Sequence, residues 1–205
     1  MTVSRIPTLI FDVGGVLVRH DNELLYDRLA AHCADPFAAR VKLADAVHDE
    51  IIGTGRLSVA DLHGRLVLEY GLSVPYESFL GIWSSHFSPE PDMEPVIEAL
   101  VRHYRVVLFS NTNAAHWAHV TAYYPILARA HHAYLSYQLG LTKPDPASFR
   151  RVLELEGCQP ADAIMIDDRA SNIAAAEAIG MGGILFTGAG AFRLALADRG
   201  IALDP

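Results

Sequence analysis

Five short apolar runs stand out along the sequence, and each is followed by polar or glycine-containing residues. They cover residues 8–11, 106–109, 133–135, 163–166 and 183–186. Near-continuous apolar runs of this length are typical of strands whose two faces are both covered, as in parallel α/β sheets. The pattern therefore predicts the strands of a buried, parallel sheet.

Helical patterns lie between these runs. Asp145 and Pro146 have the form of a helix N-cap followed by proline at the first helical position. Apolar residues then follow at helical spacing at Phe149, Val152 and Leu153. The alanine-rich segment 172–179 stops at Gly180, a residue suited to a helix C-terminus. The alternation predicts right-handed crossovers and a doubly wound, Rossmann-like α/β fold.

The segment from residue 21 to residue 91 differs, because no clear strand pattern is found in it. Apolar spacing there predicts helices around 24–29 and 41–47, a third after the capping-box pattern at 58–61, and a fourth over 76–87. Residues 88–91 contain two prolines and predict a linker back to the sheet. We therefore expect a core domain of residues 1–20 and 92–205, with a helical cap of residues 21–91 inserted after the first strand.

Polar residues follow the predicted strands at the ends where ligands bind in open α/β sheets. Asp12 follows the first strand, Ser110 the second, and Asp167 and Asp168 the fourth, while Lys143 precedes a helix. Because the carboxyl ends of parallel strands meet at one edge, we expect these side chains to converge. Singly, each has an ordinary explanation: the acids as helix caps, Ser110 in a turn and Lys143 on the surface.

Taken together, these residues are suited to binding a metal ion and a phosphate group. Clustered carboxylates repel each other unless a cation lies among them, and Mg²⁺ prefers oxygen ligands and commonly works beside a phosphate. Lys143 and Ser110 can bind phosphoryl oxygens, and backbone N–H groups of the turn at Gly14 and Gly15 can add to that cradle. A carboxylate in line with phosphorus can attack it and form an acyl phosphate that water hydrolyses.

The amino-acid composition limits the kinds of binding partner that the protein can have. The formal net charge of −8 makes nucleic acid or an anionic membrane an unfavourable partner, whereas a pocket with a metal ion and one lysine still suits a small phosphorylated metabolite. The two cysteines, Cys33 and Cys158, lie far apart, and no signal peptide is evident, so we expect a cytoplasmic protein, monomeric or homodimeric. The ten histidines show no zinc-site spacing.

The same residues resemble the haloacid dehalogenase-like hydrolase superfamily over essentially the whole chain. Residues 11–16 are similar to its first motif, 110–113 to its second, Lys143-Pro144 to its third, and 166–168 with Asn172 to its fourth. Each motif alone is weak, but four in order are specific. Within the superfamily, residues 110–113, 134–136 and 139–144 most resemble bacterial α-D-glucose-1-phosphate phosphatases.

The resemblance implies a role for each matching residue. Asp12 is the expected nucleophile and a metal ligand, joined by the Gly14 carbonyl and Asp168. Asp167 is expected to support the metal, directly or through water, with Asn172 in an outer position. The phosphoryl group is expected to contact Ser110, Lys143 and the backbone N–H of Asn111.

One position departs from the pattern of this superfamily. Most of its phosphatases carry a second aspartate two residues after the nucleophile, as general acid and base, whereas this chain has Gly14. The proton donor is therefore open between His20, Asp21 and water, or the substrate has a good leaving group such as an anomeric oxygen. Two rivals remain: a metal-independent haloacid dehalogenase and a catalytically silent binding protein.

Specificity is expected to come from the cap and from the residues after the second motif. Within the cap, helix patterns alone do not choose among His48, Glu50, Arg56, Trp83 and His86 as substrate contacts. After the motif, Asn113 can reach the substrate or cap the next helix, and His116 and Trp117 can contact substrate or pack.

Overall fold

The computed structural model describes residues 7–47 and 50–203 of the 205-residue chain. In these ranges the strands are β1 (Thr8–Phe11), β2 (Val18–His20), β3 (Phe87–Pro89), β4 (Arg105–Ser110), β5 (His132–Leu135), β6 (Ala163–Asp167) and β7 (Gly182–Leu185). The helices are α1 (Asn22–Ala30), α2 (Pro36–Val47), α3 (Glu50–Gly53), α4 (Val59–Tyr70), α5 (Tyr76–Trp83), α6 (Glu94–Leu100), α7 (Ala114–Tyr123), α8 (Ser136–Leu139), α9 (Pro146–Glu156), α10 (Ala170–Ala178) and α11 (Ala189–Asp198).

The central sheet has the strand order β5-β4-β1-β6-β7, and all of its neighbouring strands are parallel. The first strand is central, and Phe11 pairs with Leu108 of β4 on one side and Ile166 of β6 on the other. The residues after β1, β4 and β6 therefore reach the same edge. The predicted doubly wound α/β fold is confirmed, including all five apolar strands.

Side chains of the central strand alternate between two apolar cores, as the two-residue period of a strand requires. Leu9 and Phe11 pack on the face covered by α6, α7 and α11, whereas Ile10 packs on the face covered by α9 and α10. The first core includes Met93, Val96, Leu100, Val120, Phe192 and Leu196; the second includes Phe109, Phe149, Val152, Met165, Ile173 and Ala176. The central strand is thus packed against helices on both faces of the sheet.

Helices α1 to α5 form a separate apolar cluster. Its buried members include Leu25, Leu29, Leu43, Leu62, Leu66, Phe79 and Trp83. The predicted capping box at the start of α4 is confirmed: the Asp61 N–H donates to Ser58 Oγ at 3.1 Å, and the Ser58 N–H donates to the Asp61 carboxylate at 3.3 Å. The cap of residues 21–91 remains a prediction, which this separate cluster supports.

The linker prediction was wrong in one respect. Residues 87–89 form the strand β3, which pairs antiparallel with β2, and α5 ends at Trp83. His20 pairs with Phe87 and Val18 with Pro89, and the exposed Arg19 side chain forms an ion pair with Glu90 at 2.6 Å. Strands of three residues carry no periodic signal, and their partners are nearly 70 positions apart, so the sequence pattern does not show them. We call this pair the β2–β3 ribbon.

None of the helices in the described part of the chain combines the length and the apolar character that a bilayer crossing needs.

Candidate active site

Three carboxylates meet at the carboxyl edge of the central sheet. Asp12 directly follows β1, Asp167 ends the adjacent β6, and Asp168 comes next. One oxygen from each carboxylate lies within 4.8 Å of the others, although Asp12 comes about 155 positions before the two adjacent aspartates in the chain. The parallel pairing of Phe11 with Ile166 explains the convergence, because it brings the two following aspartates level.

A buried lysine neutralises part of this charge. Lys143 Nζ lies 3.0 Å from Asp12 Oδ1 and 2.7 Å from Asp167 Oδ2. The lysine is held by the side chain of Asn111, which donates to the Lys143 carbonyl at 2.8 Å and accepts from the Lys143 N–H at 2.9 Å. This side-chain contact was not foreseen from the sequence. It fixes the lysine segment to the end of β4.

Asp167 faces inward and is fully buried. Its Oδ1 accepts from the Arg169 N–H and from the Asn172 amide, both at 2.9 Å, while its Oδ2 accepts from Lys143 Nζ. Both oxygens are therefore engaged within the protein. Asp167 therefore binds Lys143 and Asn172 directly, while its support of a metal ion and the outer role of Asn172 remain predictions.

Asp12 and Asp168 both line the open side of the cluster. Burial raises the pKa of Asp12 to about 7, with Lys143 opposing this shift and the nearby Asp167 adding to it. Burial and the Asp167 charge also raise the pKa of Asp168. Three acids against one lysine leave excess negative charge, and the donors are all oxygens. The residues present therefore fit a hard divalent cation such as Mg²⁺.

The turn after Asp12 contains two glycines with different surroundings. Gly14 lines the cavity, in keeping with a carbonyl ligand. Gly15 has a φ of 78°, and a Cβ there would lie 2.2 Å from Asp168 Oδ2, so glycine allows that carboxylate to approach. The expected phosphate contact of the Gly15 N–H is not supported, because this N–H donates to the Val18 carbonyl at 2.8 Å.

The end of β4 supplies the remaining predicted residues. Ser110 is buried and lines the cavity beside Lys143, and Asn111 lies next to it. Asn113 caps α7, because its Oδ1 accepts from the His116 N–H at 3.0 Å. Of the two roles expected for Asn113, the structure shows the helix cap. Asn113 also lines the cavity.

The cluster opens into a cavity of about 590 Å³, far larger than a phosphate group. Its cap side includes Leu25, Ile52, Trp83, His86 and Phe87. Of the cap candidates, Trp83 and His86 lie in the cavity wall and Arg56 does not, while His48 and the side chain of Glu50 lie outside the described residues. His116 and Trp117 also line it.

Sequence reasoning missed several cavity residues. Phe87, Asn22, Thr142 and Arg169 all line the cavity. Phe87 belongs to the β2–β3 ribbon, and Asn22 is the first residue of α1, so both reach the cavity from the junction between the cap and the core. Thr142 and Arg169 are each adjacent to a motif residue in the sequence, and this position could have identified them. No sequence signal identifies Phe87 or Asn22 as cavity residues.

His116 joins the cap to the core. Its Nε2 lies 3.0 Å from the Trp83 carbonyl, and its Nδ1 lies 3.1 Å from the Asn113 amide nitrogen. Because Asn113 Oδ1 already accepts from the His116 N–H, the amide nitrogen is the donor to Nδ1, and Nε2 carries the ring proton. Burial, with a smaller contribution from His86, lowers the pKa of His116 to about 3.

The lowered pKa of His116 predicts an acid-sensitive stability. Below the unfolded-state pKa of about 6.5, the unfolded chain binds a proton at His116 that the native protein does not bind until about pH 3. Native stability therefore falls as pH decreases, by about 1.4 kcal/mol per pH unit from this group. In His116→Gln, we expect the stability difference between pH 7 and pH 5 to be about 2 kcal/mol smaller than in wild type.

Urea denaturation at the two pH values measures this difference. His103→Gln provides the control, because His103 is exposed. An equal pH dependence in wild type and His116→Gln would show that His116 titrates normally in the native protein.

These features place the protein among α/β enzymes that gather acidic side chains and a lysine at the carboxyl edge of a parallel sheet. The chain belongs to the haloacid dehalogenase-like hydrolases, because the model of that family matches residues 6–180. The resemblance stated from the four motifs and the assignment as a hydrolase are thereby confirmed.

Individual relatives agree with the family. The chain is 28% identical to the D-ribitol-5-phosphate phosphatase of Bacteroides thetaiotaomicron over 184 residues, which cover 85% of this chain and 89% of the relative. A crystal structure of a family enzyme from the same organism, in complex with magnesium and inorganic phosphate, has a TM-score of 0.77 at 23% identity, over 89% of this chain and 95% of that chain. A 2-haloacid dehalogenase from Pseudomonas syringae has a TM-score of 0.62 at 18% identity, over 95% of this chain and 99% of that chain. The two structural likenesses show the shared fold.

Proposed function

We propose that this hydrolase is a Mg²⁺-dependent phosphatase that acts on a small phosphorylated metabolite through an aspartyl-phosphate on Asp12. The observation that carries the proposal is the cluster itself: Asp12 and Asp168 line one end of the cavity, and the Lys143 ammonium lies 3.0 Å from the Asp12 carboxylate. A nucleophile, metal-compatible oxygens and a phosphate-compatible cation thus meet at one place.

The proposed hydrolysis of the phosphate ester has two steps, and each site residue has a role in it. In the first step, an Asp12 oxygen attacks phosphorus, and the bond from phosphorus to the leaving oxygen breaks. In the second, water attacks the acyl phosphate, which releases inorganic phosphate and restores the carboxylate. Lys143 and Ser110 hold phosphoryl oxygens, with the Asn111 N–H beside them. Asp12, Asp168 and the Gly14 carbonyl, supported by Asp167, would hold Mg²⁺, which would neutralise charge between the two anions.

The leaving oxygen needs a proton, and Gly14 has no side chain to give it. Of the two side chains considered for this role, His20 lines the cavity, and its Nδ1 lies 3.3 Å from the point where a Cβ of Gly14 would stand. Asp21 instead caps α1, where it accepts from the Leu24 N–H at 3.0 Å. Water remains the other possible donor.

The relatives support a small phosphorylated metabolite as the class of substrate. One is named for a polyol phosphate, and another was crystallised with magnesium and phosphate. Within this class, Gly14 favours a substrate with a good leaving group, and a sugar 1-phosphate is our specific proposal. The closer resemblance to glucose-1-phosphate phosphatases also stays a proposal, since the relatives described above do not include one.

A phosphate-release screen tests both the phosphatase activity and the preference for a sugar 1-phosphate. With Mg²⁺, we expect turnover on sugar and polyol monophosphates and a loss of at least about 100-fold on addition of EDTA, reversed by excess Mg²⁺. The screen compares sugar 1-phosphates with sugar 6-phosphates and ribitol 5-phosphate. A preference for primary esters would reject the 1-phosphate proposal, and absence of turnover on the whole panel, including para-nitrophenyl phosphate, would reject the phosphatase.

The charge of the site weighs against the dehalogenase rival. Without a cation, three carboxylates around one lysine would repel a carboxylate substrate, and the dehalogenase reaction uses no metal. Activity on a 2-haloacid that EDTA leaves unchanged would support that rival. The silent-protein rival rests on Gly14 alone, and the same screen tests it.

We also propose that the protein is located in the cytoplasm. No disulfide joins Cys33 and Cys158, in keeping with a reducing compartment such as the cytoplasm. The acidic net charge of −8 supports a small-molecule partner over nucleic acid or membrane, and the protein is proposed to be a monomer or homodimer.

A further inference from the structure

The β2–β3 ribbon brings two histidines into the cavity wall. His20 ends β2, and His86 directly precedes β3, where its carbonyl accepts from the Asp21 N–H at 3.0 Å. Both histidines line the cavity, and the His86 residue is only 4% exposed. Their Nδ1 atoms are buried and have no hydrogen-bond partner among the described residues.

An unpaired buried nitrogen is costly, because its interaction with water is lost and nothing replaces it. A bound molecule that places a hydroxyl group there would satisfy it. Burial lowers the pKa of His86 to about 4, so at neutral pH its ring is uncharged, with one nitrogen as donor and the other as acceptor. A neutral imidazole of this kind matches a hydroxyl group, which both donates and accepts, and gives little attraction to an anion.

Among the described residues, the aspartate, lysine and arginine side chains that line the cavity belong to the carboxylate cluster or directly follow it. The lysine and arginine side chains that line it are Lys143, in the carboxylate cluster, and Arg169, directly after Asp168. The cap wall near His86 is instead formed by apolar and aromatic side chains, among them Leu25, Ile52 and Phe87. The cavity therefore has one site for a phosphate and an uncharged remainder of mixed apolar and hydrogen-bonding character.

We propose that His86, with His20 beside it, forms a subsite for hydroxyl groups of the leaving group. The preferred substrates are then monophosphates of uncharged, polyhydroxylated molecules, that is, sugars or polyols. Compounds with a second phosphate, and phosphate esters without hydroxyl groups, are disfavoured. This inference rests on the proposed phosphatase function, because it assigns the leaving-group end of the same cavity.

The test is a selectivity ratio: kcat/KM for the best sugar or polyol monophosphate divided by kcat/KM for para-nitrophenyl phosphate, which has no hydroxyl group. His86→Leu removes the ring nitrogens, and we expect it to lower this ratio by about 10- to 100-fold. The asparagine amide lies close to the position of Nδ1, whereas the glutamine amide lies close to that of Nε2. His86→Asn is therefore expected to restore most of the ratio, and His86→Gln to restore less.

Controls separate this inference from the function on which it rests. His103→Leu makes the same change at an exposed position outside the cavity and should leave the ratio as in wild type. Thermal unfolding of each variant checks the fold, and His86→Asn tests the same nitrogen with a polar side chain if His86→Leu folds poorly.

The possible outcomes are distinct. If wild type hydrolyses none of the phosphates with Mg²⁺, the phosphatase proposal fails. If wild type hydrolyses them but His86→Leu lowers both kcat/KM values equally, or a sugar bisphosphate is preferred to the monophosphate, the phosphatase stands and the hydroxyl subsite is overturned.

Discussion

Asp12→Asn is expected to abolish turnover while the protein stays folded. The amide nitrogen is a poor nucleophile, and loss of a covalent nucleophile should lower kcat by at least about 10⁴-fold. The change preserves shape, and asparagine Oδ1 can still accept from the Val13 N–H, which donates to Asp12 Oδ1 at 2.6 Å. Because burial raises the pKa of Asp12, an uncharged side chain should not lower stability in the absence of metal.

Phosphate release with Mg²⁺ and thermal unfolding measure the two effects. Asp198→Asn is the matched control, because it makes the same change at an exposed position of α11 and should behave as wild type. Rapid acid quenching with labelled substrate should trap a phosphorylated protein in wild type and none in Asp12→Asn. Turnover of Asp12→Asn within tenfold of wild type would remove Asp12 from the nucleophilic role.

The sheet and the position of the site could be predicted because both depend on local signals. A strand such as β4, covered on both faces, must be apolar along its length, and Val106–Phe109 shows this directly. The polar residues that interrupt such runs, Asp12 and Ser110, then fall at the carboxyl edge of the sheet by topology alone. The family resemblance added roles to positions that the pattern had already placed together.

The wall opposite the carboxylates could not be predicted in the same way. The β2–β3 ribbon joins residues about 70 positions apart with strands of three residues, so no periodicity reports it. His20 and His86 enter the cavity only through that pairing. The cap–core contact of His116 with the Trp83 carbonyl depends likewise on how two helices meet. Side-chain partners set by tertiary packing leave little trace in a single sequence.

The hydrogen bonds of particular backbone groups could not be predicted from the sequence either. A glycine-containing turn can either bind phosphate or close on itself, and the Gly15 N–H does the latter by donating to Val18. The Asn111 side chain holds the Lys143 backbone, whereas the resemblance had implied only its N–H. In both cases several hydrogen-bond donors lie close together, and the sequence does not show which of them forms the bond.

The second large effect is expected for Lys143→Met, which keeps much of the side-chain length and removes the charge. Lys143 Nζ is the cation placed between Asp12 and Asp167, at 3.0 Å and 2.7 Å. Without it, the phosphoryl oxygens lose a charged partner, and the incoming phosphate meets the carboxylates without that screening. We expect kcat/KM to fall by about 10³-fold, in the range found for loss of a preorganised donor at the reacting oxygens.

The same change should destabilise the protein, which Asp12→Asn should not. Asp167 is fully buried, and removal of one partner of a buried ion pair typically costs about 3–5 kcal/mol. Lys143 lowers the pKa of Asp12, so its loss raises that pKa above its value of about 7. The variant should therefore recover stability as pH falls from 8 to 6, because Asp12 takes up a proton and the repulsion disappears.

Urea denaturation at pH 8 and pH 6, together with phosphate release, tests both parts. The chain offers a matched control, because its other lysine, Lys42, is exposed on α2, and Lys42→Met should change neither property. Mg²⁺ should restore part of the stability of Lys143→Met at pH 8, since a cation in the cluster offsets the same repulsion. Unchanged stability and activity in Lys143→Met would show that the carboxylates do not depend on the lysine charge, and the electrostatic account of the site would have to be abandoned.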